Sequence, residues 1–437
     1  MTRSAVEKTD PSGTRLGELW SILPEEAGSD DTGRLVVGGV AVAELAERYG
    51  TPLHVIDESG LRRQMRRLAD GLTARWPNSE VLFASKSLPI VEMYRVAHEE
   101  GLAIDVAGGG ELQLALAGGV DPQRIYMHGN AKSEAELELA LSSGVGTIIV
   151  DNEDELDRLD RLLTQPQRLL LRVIPGVEAE THASQATGGE NSKFGVPLGE
   201  LERVVARMQR HPLMEFEGIH LHIGSQILNT AEFAESVDRV SRIGRFPIYN
   251  VGGGLGVKYT YAEEAPTVEA YLDAVVAEAK AKLPADAKLM IEPGRSIVAR
   301  AGVTLYRILS VKRAVKTFVA VDGGMADQLD IALTGQRYEA LLADRLGEAW
   351  TETVQLVGRQ CESGDLLVDG APMPAARVGD LVVLASTGAY SYSMTNNYNG
   401  ALRPAIVFVH DGTARLVTRR ETYEDLLALH APSISAA

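Results

Sequence analysis

The chain has 437 residues, of which 45% are hydrophobic, so it can bury a sizeable core in two domains or in one barrel with an appendage. Its 60 acidic and 43 basic side chains give a formal net charge of −17, which argues against a surface for nucleic acid or anionic membranes. Because Cys361 is the single cysteine, no intrachain disulfide can form. The sequence has neither the apolar core of a signal peptide nor a run near the ~18 apolar residues that a membrane span needs, so we expect a cytoplasmic protein.

The N-terminal part of the chain is polar and charged. We expect residues 1–34 to form a flexible, poorly ordered extension. We expect residues 35–50 to be a lead-in that packs on a later β domain.

Residues 51–304 repeat one pattern, a short apolar or β-branched run followed by a polar turn and an amphipathic stretch. The runs are 81–84, 103–106, 125–128, 147–150, 169–173, 218–223, 248–251 and 289–292. Continuous apolar strands alternating with helices indicate a parallel sheet covered on both faces, and eight units fit an α/β fold of the (β/α)8 TIM-barrel type. No G-x-G-x-x-G motif opens a helix after the first strand, which weakens the alternative of an open Rossmann sheet.

From about residue 305 the pattern changes to short strands between Gly and Asp turns. The strand-like runs are 303–311, 317–321, 353–357, 380–384, 405–409 and 415–418. They predict a C-terminal β-rich domain over residues 305–437. We expect residues 338–350 to add a helix.

Unusual polar residues lie where the predicted barrel strands end, and that is where barrel active sites form. They are Lys86, Asp105, His128, Arg172, His220, His222, Ser225, the glycines between 252 and 256, Glu292 and Arg295. Each of them alone has an ordinary structural explanation, but their shared placement predicts an active site.

Lys86 and Glu292 suggest cofactor chemistry. A lysine after a strand is usually a solvated charge, but Lys86 ends an apolar strand aimed at the barrel mouth, where a partly desolvated amine suits Schiff-base formation. Glu292 also ends an apolar strand, where a carboxylate is costly unless it is paired. A pyridinium N–H would be a suitable partner, because keeping that nitrogen protonated makes the ring an electron sink.

Two further groups each have two interpretations. Gly252, Gly253 and Gly254 form either a tight turn or a phosphate cradle, and we favour the cradle because phosphate sites recur after the seventh and eighth barrel strands. His220 and His222 lie on one face of a strand and could bind a metal. No third ligand is convincingly placed, so we favour a core or ring-stacking role and predict no metal site.

Several motifs occur in order along the chain. They are Phe83-Ala-Ser-Lys86, Asp105-Val-Ala-Gly-Gly-Gly-Glu111-Leu, His128-Gly-Asn-Ala-Lys132-Ser, Ser192-Lys-Phe-Gly195, His220-Leu-His-Ile-Gly-Ser-Gln226, Gly252-Gly-Gly-Leu-Gly256, Glu292-Pro-Gly-Arg295, Cys361-Glu-Ser-Gly-Asp365 and Gly388-Ala-Tyr390. With them the chain resembles the alanine-racemase-like (fold-type III) decarboxylases that depend on pyridoxal 5'-phosphate (PLP). The resemblance is strongest to the diaminopimelate decarboxylase branch, weaker to ornithine and arginine decarboxylases, and runs from about residue 38 to residue 427.

The resemblance implies a role for each matched position. Lys86 would bind PLP covalently, His222 would stack on its ring, Glu292 would pair with the ring nitrogen, and Asp105 would belong to the same cofactor site. Ser225 and the glycines 252–254 would hold the phosphate, with Arg295 near the phosphate or the substrate.

The resemblance also gives roles to the β-rich domain. Cys361 would donate the proton that replaces the lost carboxylate, Glu362 would face a substrate amine, and Tyr390 would touch both cofactor and substrate. In the family these three residues come from the partner subunit, so a homodimer with shared active sites is implied.

The chain departs from the family pattern at the substrate. Diaminopimelate enzymes of the family carry an arginine and then a tyrosine after the Gly-Gly-Met turn, and both help to hold the distal carboxylate. Here an ungapped alignment places Asp330 and Thr334 at these positions. A carboxylate in place of the arginine should weaken binding of meso-diaminopimelate unless Arg295 or Arg337 compensates.

The resemblance therefore predicts an amino-acid decarboxylase, and two substrates remain open. The first is meso-diaminopimelate, giving L-lysine and CO2 in lysine biosynthesis, with Arg337 supplying the missing charge through a local shift. The second is another amino acid, such as ornithine, lysine or a conjugated amino acid of specialised metabolism. Lys86, Glu292, Cys361 and Tyr390 argue against a non-catalytic PLP-binding partner, and the motifs around Cys361 and Tyr390 argue against a racemase.

Overall fold

The computed structural model describes residues 16–176 and 192–430. Its first elements are α1 (Leu16–Leu19), β1 (Gly28–Ser29), β2 (Leu35–Val37), β3 (Val40–Ala41), α2 (Val42–Tyr49) and β4 (Leu53–Asp57). Strands β1, β2 and β3 form a small antiparallel sheet. Among the described residues, none of the helices combines the length and the apolar character needed to cross a membrane.

The next elements form a closed barrel of eight parallel strands. In chain order they are α3 (Glu58–Arg75), β5 (Ser79–Ala84), α4 (Val91–Glu99), β6 (Ala103–Val106), α5 (Gly109–Ala117), β7 (Ile125–Met127), α6 (Glu134–Ser142), β8 (Thr147–Val150), α7 (Glu153–Leu162), β9 (Gln167–Ile174), β10 (Val196–Pro197), α8 (Leu201–Arg210), β11 (Met214–His220), α9 (Thr230–Ser241), β12 (Ile248–Asn250), α10 (Val268–Lys282), β13 (Lys288–Ile291) and α11 (Arg295–Val298). The barrel closes because β8 pairs with β9 and β13 pairs with β5, while β10 adds a short extra pairing on β9. The predicted (β/α)8 barrel is thus confirmed, strand by strand.

Local sequence explains these elements. All four residues of β8 are buried, as expected for a parallel strand covered on both faces. Helix α6 is preceded by a capping box between Ser133 and Glu136, and α10 is capped by Thr267, whose hydroxyl accepts the Ala270 N–H. The barrel interior is filled by Leu82, Ala103, Tyr126, Ile149, Leu170 and Met290. A packed interior leaves the strand ends as the place for chemistry.

The remaining elements build a β-rich unit. They are β14 (Gly302–Arg313), β15 (Thr317–Val321), α12 (Leu329–Thr334), β16 (Ala340–Leu342), β17 (Glu352–Val357), β18 (Leu366–Met373), β19 (Leu381–Leu384), β20 (Ala405–His410), β21 (Thr413–Thr418) and α13 (Tyr423–Ala428). The main sheet has the order β18-β17-β15-β14-β4-β20-β21, with β19 pairing with both β14 and β16. The helix predicted over residues 338–350 is wrong, because Ala340–Leu342 is a fully buried strand paired with β19.

The boundary between the two units differs from the predicted one at residue 51. The β-rich unit takes the chain up to Leu61, the short stretch Lys258–Glu263 and everything from Ala299 onward. The reason is β4, which lies between β14 and β20 in the sheet of this unit, although it precedes the barrel in sequence.

The expectation of a poorly ordered N-terminal extension is wrong from residue 16 onward. Leu19, Ile22 and Leu23 are buried in the same apolar core as Leu45 and Val303. Burial of such side chains offsets the entropy cost of ordering the segment. Residues 1–15 lie outside the described part of the chain.

Candidate active site

Lys86 lies on a single 3-10 turn, Ser85–Ser87, directly after β5. Two buried serines fix this turn: Ser85 Oγ donates to Glu111 Oε2 (3.0 Å) and Ser87 Oγ donates to the Ala84 carbonyl (2.9 Å). The Lys86 side chain itself is exposed, which corrects the expectation of a partly desolvated amine. The turn carries the amine beyond the apolar end of the strand.

Glu292 follows β13 and is the centre of a buried polar cluster. His128 Nε2 lies 3.0 Å from Glu292 Oε1, and His220 Nε2 lies 3.2 Å from Glu292 Oε2. The side-chain amide of Asn250 donates to Glu292 Oε1 at 2.6 Å. Asp105 is at the edge of the cluster, with Oδ1 3.8 Å from His128 Nε2. The ends of β6, β7, β11, β12 and β13 thus meet at one carboxylate.

Electrostatics keep Glu292 ionised. Burial alone would raise its pKa, but the adjacent His128 and His220 imidazoles bring the pKa well below the ordinary value. Burial lowers the pKa of His220 to about 4, whereas Asp105 and Glu292 outweigh burial at His128 and raise its pKa. Burial raises the pKa of Asp105 to about 7. Near neutral pH, Glu292 is therefore ionised and His220 is neutral, while His128 binds a proton more tightly than an ordinary imidazole.

The predicted phosphate cradle follows β12. Gly252 and Gly254 have φ values of 70° and 115°, a region that glycine enters without strain. A Cβ on Gly253 would lie 2.1 Å from the Glu292 carbonyl oxygen. The backbone of this turn therefore packs directly against the end of β13, and only glycine fits there. Beside it, Arg295 begins α11 and its Nε and Nη2 each donate to Ser225 Oγ at 3.2 Å.

His222 is fixed by the same turn. The Gly253 N–H donates to His222 Nδ1 at 3.2 Å. Desolvation lowers the pKa of His222 well below its ordinary value, so the imidazole is neutral with its proton on Nε2. A neutral ring held in one orientation is suited to stacking.

Arg172 lies on β9, with its guanidinium carbon 4.3 Å from the centre of the Phe194 ring. Its Nη1 lies 3.9 Å from Asp151 Oδ1. Its side chain is thus held by a cation–π contact and a loose ion pair.

Cys361 and Glu362 lie on an exposed turn of the β-rich unit between β17 and β18. The Cys361 N–H donates to Asn399 Oδ1 at 2.7 Å, and the Tyr398 hydroxyl donates to Glu362 Oε2 at 3.4 Å. Tyr390 is half-buried with φ 64°, an uncommon conformation for a bulky residue. These residues therefore sit on two turns, 360–365 and 390–400, that are tied to each other.

Asp330 and Thr334 occupy α12 of the β-rich unit. Asp330 is buried, and its carboxylate accepts hydrogen bonds from Gln328 Nε2 (3.1 Å) and from the Tyr338 hydroxyl. Thr334 Oγ1 donates to the Asp330 carbonyl at 2.7 Å. Both side chains are therefore engaged inside their own unit.

Comparison with known proteins agrees with this geometry. Residues 58–299 match the family model described as pyridoxal-dependent decarboxylase, pyridoxal binding domain. The chain is 41% identical to diaminopimelate decarboxylase of Bacillus subtilis, over 92% of this chain and 96% of that one, and 43% identical to the enzyme of the same name from Actinosynnema pretiosum, over 95% and 94%. The chain belongs to the pyridoxal-dependent decarboxylases. A crystal structure of diaminopimelate decarboxylase from M. jannaschii with L-lysine superposes with a TM-score of 0.86 at 28% identity, covering 94% of this chain and 98% of that one.

As a pyridoxal-dependent decarboxylase the chain is a carboxy-lyase and its cofactor is PLP. The residues at the barrel end fit PLP. The turn at Gly252–Gly254 has no side chains to block a phosphate, and Arg295, which donates to Ser225, brings a cation to the same strand end. Glu292 is an anion at the end of an apolar strand, as the nitrogen of a protonated pyridine ring requires. His128, His220 and Glu292 bring ligand atoms within 4.8 Å of one another and could hold a metal ion, but these atoms already contact one another.

Sequence reasoning missed some members of this decarboxylase site. Asn250 was not singled out, although a polar residue that ends an apolar strand is the same signal that identified Glu292. His128 was recognised only as a residue at a strand end, and its contact with Glu292 depends on barrel closure. Asn399 carries no sequence signal, because its role comes from a backbone contact with Cys361.

Proposed function

We propose that the chain removes the α-carboxylate of meso-diaminopimelate, producing L-lysine and CO2, a step of lysine biosynthesis. The observation that carries the chemistry is Glu292, a buried carboxylate kept anionic by His128, His220 and Asn250. The substrate is supported by relatives of this name at 41% and 43% identity over at least 92% of the chain.

The barrel residues bind and orient. PLP, when bound, supplies the electron sink for the electrons of the broken carbon–carboxylate bond. Lys86 offers the exposed amine for covalent attachment, and Arg295, Ser225 and the glycine turn hold the phosphate. Glu292 remains ionised because its pKa is lowered, and His222 offers a neutral ring in a fixed orientation. Asp105 supports His128 by its charge.

The β-rich unit supplies the second half of the site. We propose a homodimer in which Cys361, Glu362 and Tyr390 of one protomer complete the partner's site. Cys361 delivers the proton to the substrate α-carbon, Glu362 faces the substrate amine, and Tyr390 contacts cofactor and substrate. A thiol in this role must stay reduced, which fits the cytoplasm.

A second candidate is the decarboxylation of another amino acid without a distal carboxylate. It is favoured by Asp330 and Thr334, since a carboxyl group and a hydroxyl stand where the family's diaminopimelate enzymes have an arginine and a tyrosine. Arg337 is the nearby cation in sequence, and it lines a cavity of about 450 Å³ with Tyr261 and Tyr338.

The test is an assay of the purified protein loaded with PLP, in which meso-diaminopimelate is added and both CO2 and L-lysine are measured. We expect equimolar CO2 and lysine, and none from the Lys86→Ala variant. The same assay with ornithine, lysine and conjugated amino acids tests the second candidate. A faster release of CO2 from one of these than from meso-diaminopimelate would reject the first substrate and support the second candidate.

A further inference from the structure

The motif that carries Cys361 ends in a buried carboxylate, Asp365, which the chemistry above does not use. Asp365 Oδ2 accepts the Gln360 N–H at 2.8 Å, and Asp365 Oδ1 accepts the Met325 N–H at 2.6 Å. The side chain is 4% exposed. A single carboxylate thus joins the start of the Cys361 turn to the Gly323–Met325 turn.

Two glycines make room for this carboxylate. A Cβ on Gly324 would lie 2.5 Å from Asp365 Oδ1, and a Cβ on Gly358 would lie 2.2 Å from Asp365 Oδ2. Gly324 also has a φ of 155°. Backbone therefore packs against the carboxylate on both sides, and its N–H donors belong to the segments that it joins.

Further hydrogen bonds extend the connection to the turn that contains Asn399. The Arg359 N–H donates to the Gly323 carbonyl (2.9 Å), and the Asn396 N–H donates to the Ala326 carbonyl (2.8 Å). The Cys361 N–H is held by Asn399, whose φ of 54° is an αL conformation that asparagine tolerates. The backbone on both sides of the Cys361 peptide is therefore fixed, by Asp365 at residue 360 and by Asn399 at residue 361.

We propose that Asp365 is a positioning residue for proton delivery: it holds the turn 360–365 against the Gly323–Met325 turn so that the Cys361 thiol stands at a fixed place. The inference rests on the proposed function, because it takes Cys361 as the proton donor. Burying a carboxylate is costly unless its oxygens are satisfied, and here one oxygen holds the turn that carries the thiol while the other holds the turn against which it packs.

The first test uses the fact that the chain has one cysteine, so that thiol alkylation reports on Cys361 alone. The variant Asp365→Asn keeps the shape of the side chain but turns one acceptor into a donor, so one of the two N–H bonds must break. We expect iodoacetamide to alkylate the PLP-loaded variant at least about fivefold faster than the wild type, because a turn that has lost one of these bonds more often carries the Cys361 thiol out of the partner's site, which covers it in the proposed homodimer. The matched control, Asp369→Asn, removes an exposed carboxylate on β18 and should label at the wild-type rate.

The second readout is the split between kcat and KM. A displaced proton donor slows the step after substrate binding, so kcat of Asp365→Asn should fall about tenfold while KM stays within about twofold. The variant Asn399→Gly removes the acceptor of the Cys361 N–H and keeps the positive φ, and we expect a smaller effect of the same kind. Thermal melting and the PLP absorbance show whether each variant is folded and loaded with PLP. If Asp365→Asn does not fold, Asn399→Gly tests whether fixing the Cys361 turn matters for proton delivery.

The outcomes separate the two proposals. Unchanged alkylation in both variants, or faster alkylation with an unchanged kcat, overturns the positioning role. A wild type that does not decarboxylate meso-diaminopimelate contradicts the proposed substrate and leaves the alkylation comparison to decide on Asp365.

Discussion

Each unit of the molecule buries carboxylates, and the two units treat them differently. At the end of the barrel, Glu292 meets His128, His220 and the Asn250 amide, and these imidazoles bring its pKa well below the ordinary value. In the β-rich unit, Asp327 accepts hydrogen bonds from Tyr306 Oη (2.5 Å) and the Gly324 N–H (2.9 Å). Burial outweighs these bonds and raises the pKa of Asp327 to about 7.

The difference shows that partners, more than burial, decide the charge of an interior carboxylate. Imidazoles can share or carry a proton, so they stabilise an anion where the reaction needs one. A phenol and a backbone amide donate hydrogen bonds but bring no charge, so the carboxyl of Asp327 keeps its proton up to about pH 7 and serves to shape a turn.

The largest expected effect comes from removing the anion in the barrel. Glu292→Gln keeps the size of the side chain and loses the charge that His128 and His220 stabilise. We expect decarboxylation to slow by roughly a thousandfold, at the upper end of losses for a single electrostatic group in an active site. Release of CO2 at saturating substrate and PLP measures it.

Glu269→Gln is the matched control for this change, since Glu269 is an exposed carboxylate on α10. Activity of Glu292→Gln within tenfold of wild type would mean that the charge at this position matters little and that the contrast between the two units has no functional meaning.

A second effect concerns stability within the barrel. Lys132 Nζ is buried and donates to Glu155 and to the carbonyls of Gly129 (2.7 Å) and Ile149 (2.8 Å). Lys132→Met leaves Glu155 buried without its cation, and we expect a loss of about 3 kcal/mol in the free energy of unfolding. Urea unfolding followed by circular dichroism measures the change.

The comparison for this variant is Arg203→Met, which breaks the exposed pair with Glu153. Exposed ion pairs contribute at most about 1 kcal/mol, so this variant should unfold at nearly the wild-type urea concentration. Equal losses from Lys132→Met and Arg203→Met would contradict the distinction between buried and exposed charge.

The smallest expected effect is a pH dependence in the β-rich unit. The folded pKa of Asp327, about 7, is above its ordinary 3.8, so the folded state binds this proton more tightly than the unfolded state. Its contribution to stability is fully present below pH 3.8 and is lost as the pH rises through 7. Asp327→Asn removes this dependence, and the melting temperature of the variant relative to wild type should rise by about 2 °C or more between pH 5 and pH 8.

Asp369→Asn, at an exposed aspartate, should show the same difference from wild type at both pH values. A parallel pH dependence of Asp327→Asn and wild type would show that Asp327 is ionised in the fold.

Much of the barrel was predictable because its signal is local. Each of the eight strands is a short apolar run, and burial on both faces produces such runs wherever a parallel strand lies. The placement of β4 was not predictable in this way. Leu53–Asp57 looks like one more barrel strand, and only its pairing with β14 and β20, far away in sequence, assigns it to the other sheet.

The site shows the same limit. Glu292 and Ser225 could be found because they stand at strand ends. The partners that set the Glu292 pKa, His128 and Asn250, come together only when the barrel closes. The exposure of Lys86 was also missed, since the length of the turn after β5 decides how far the amine is carried.

The position of β4 also bears on how the protein is made. Its neighbour β20 begins at Ala405, roughly 350 residues after β4 ends, with the whole barrel encoded in between. At a translation rate of about 5–20 residues per second, the ribosome needs on the order of 20–70 s to synthesise the residues between β4 and β20. During synthesis Leu53, Val55 and Ile56, all buried in the finished sheet, therefore remain on an unpaired strand long after they have left the ribosome.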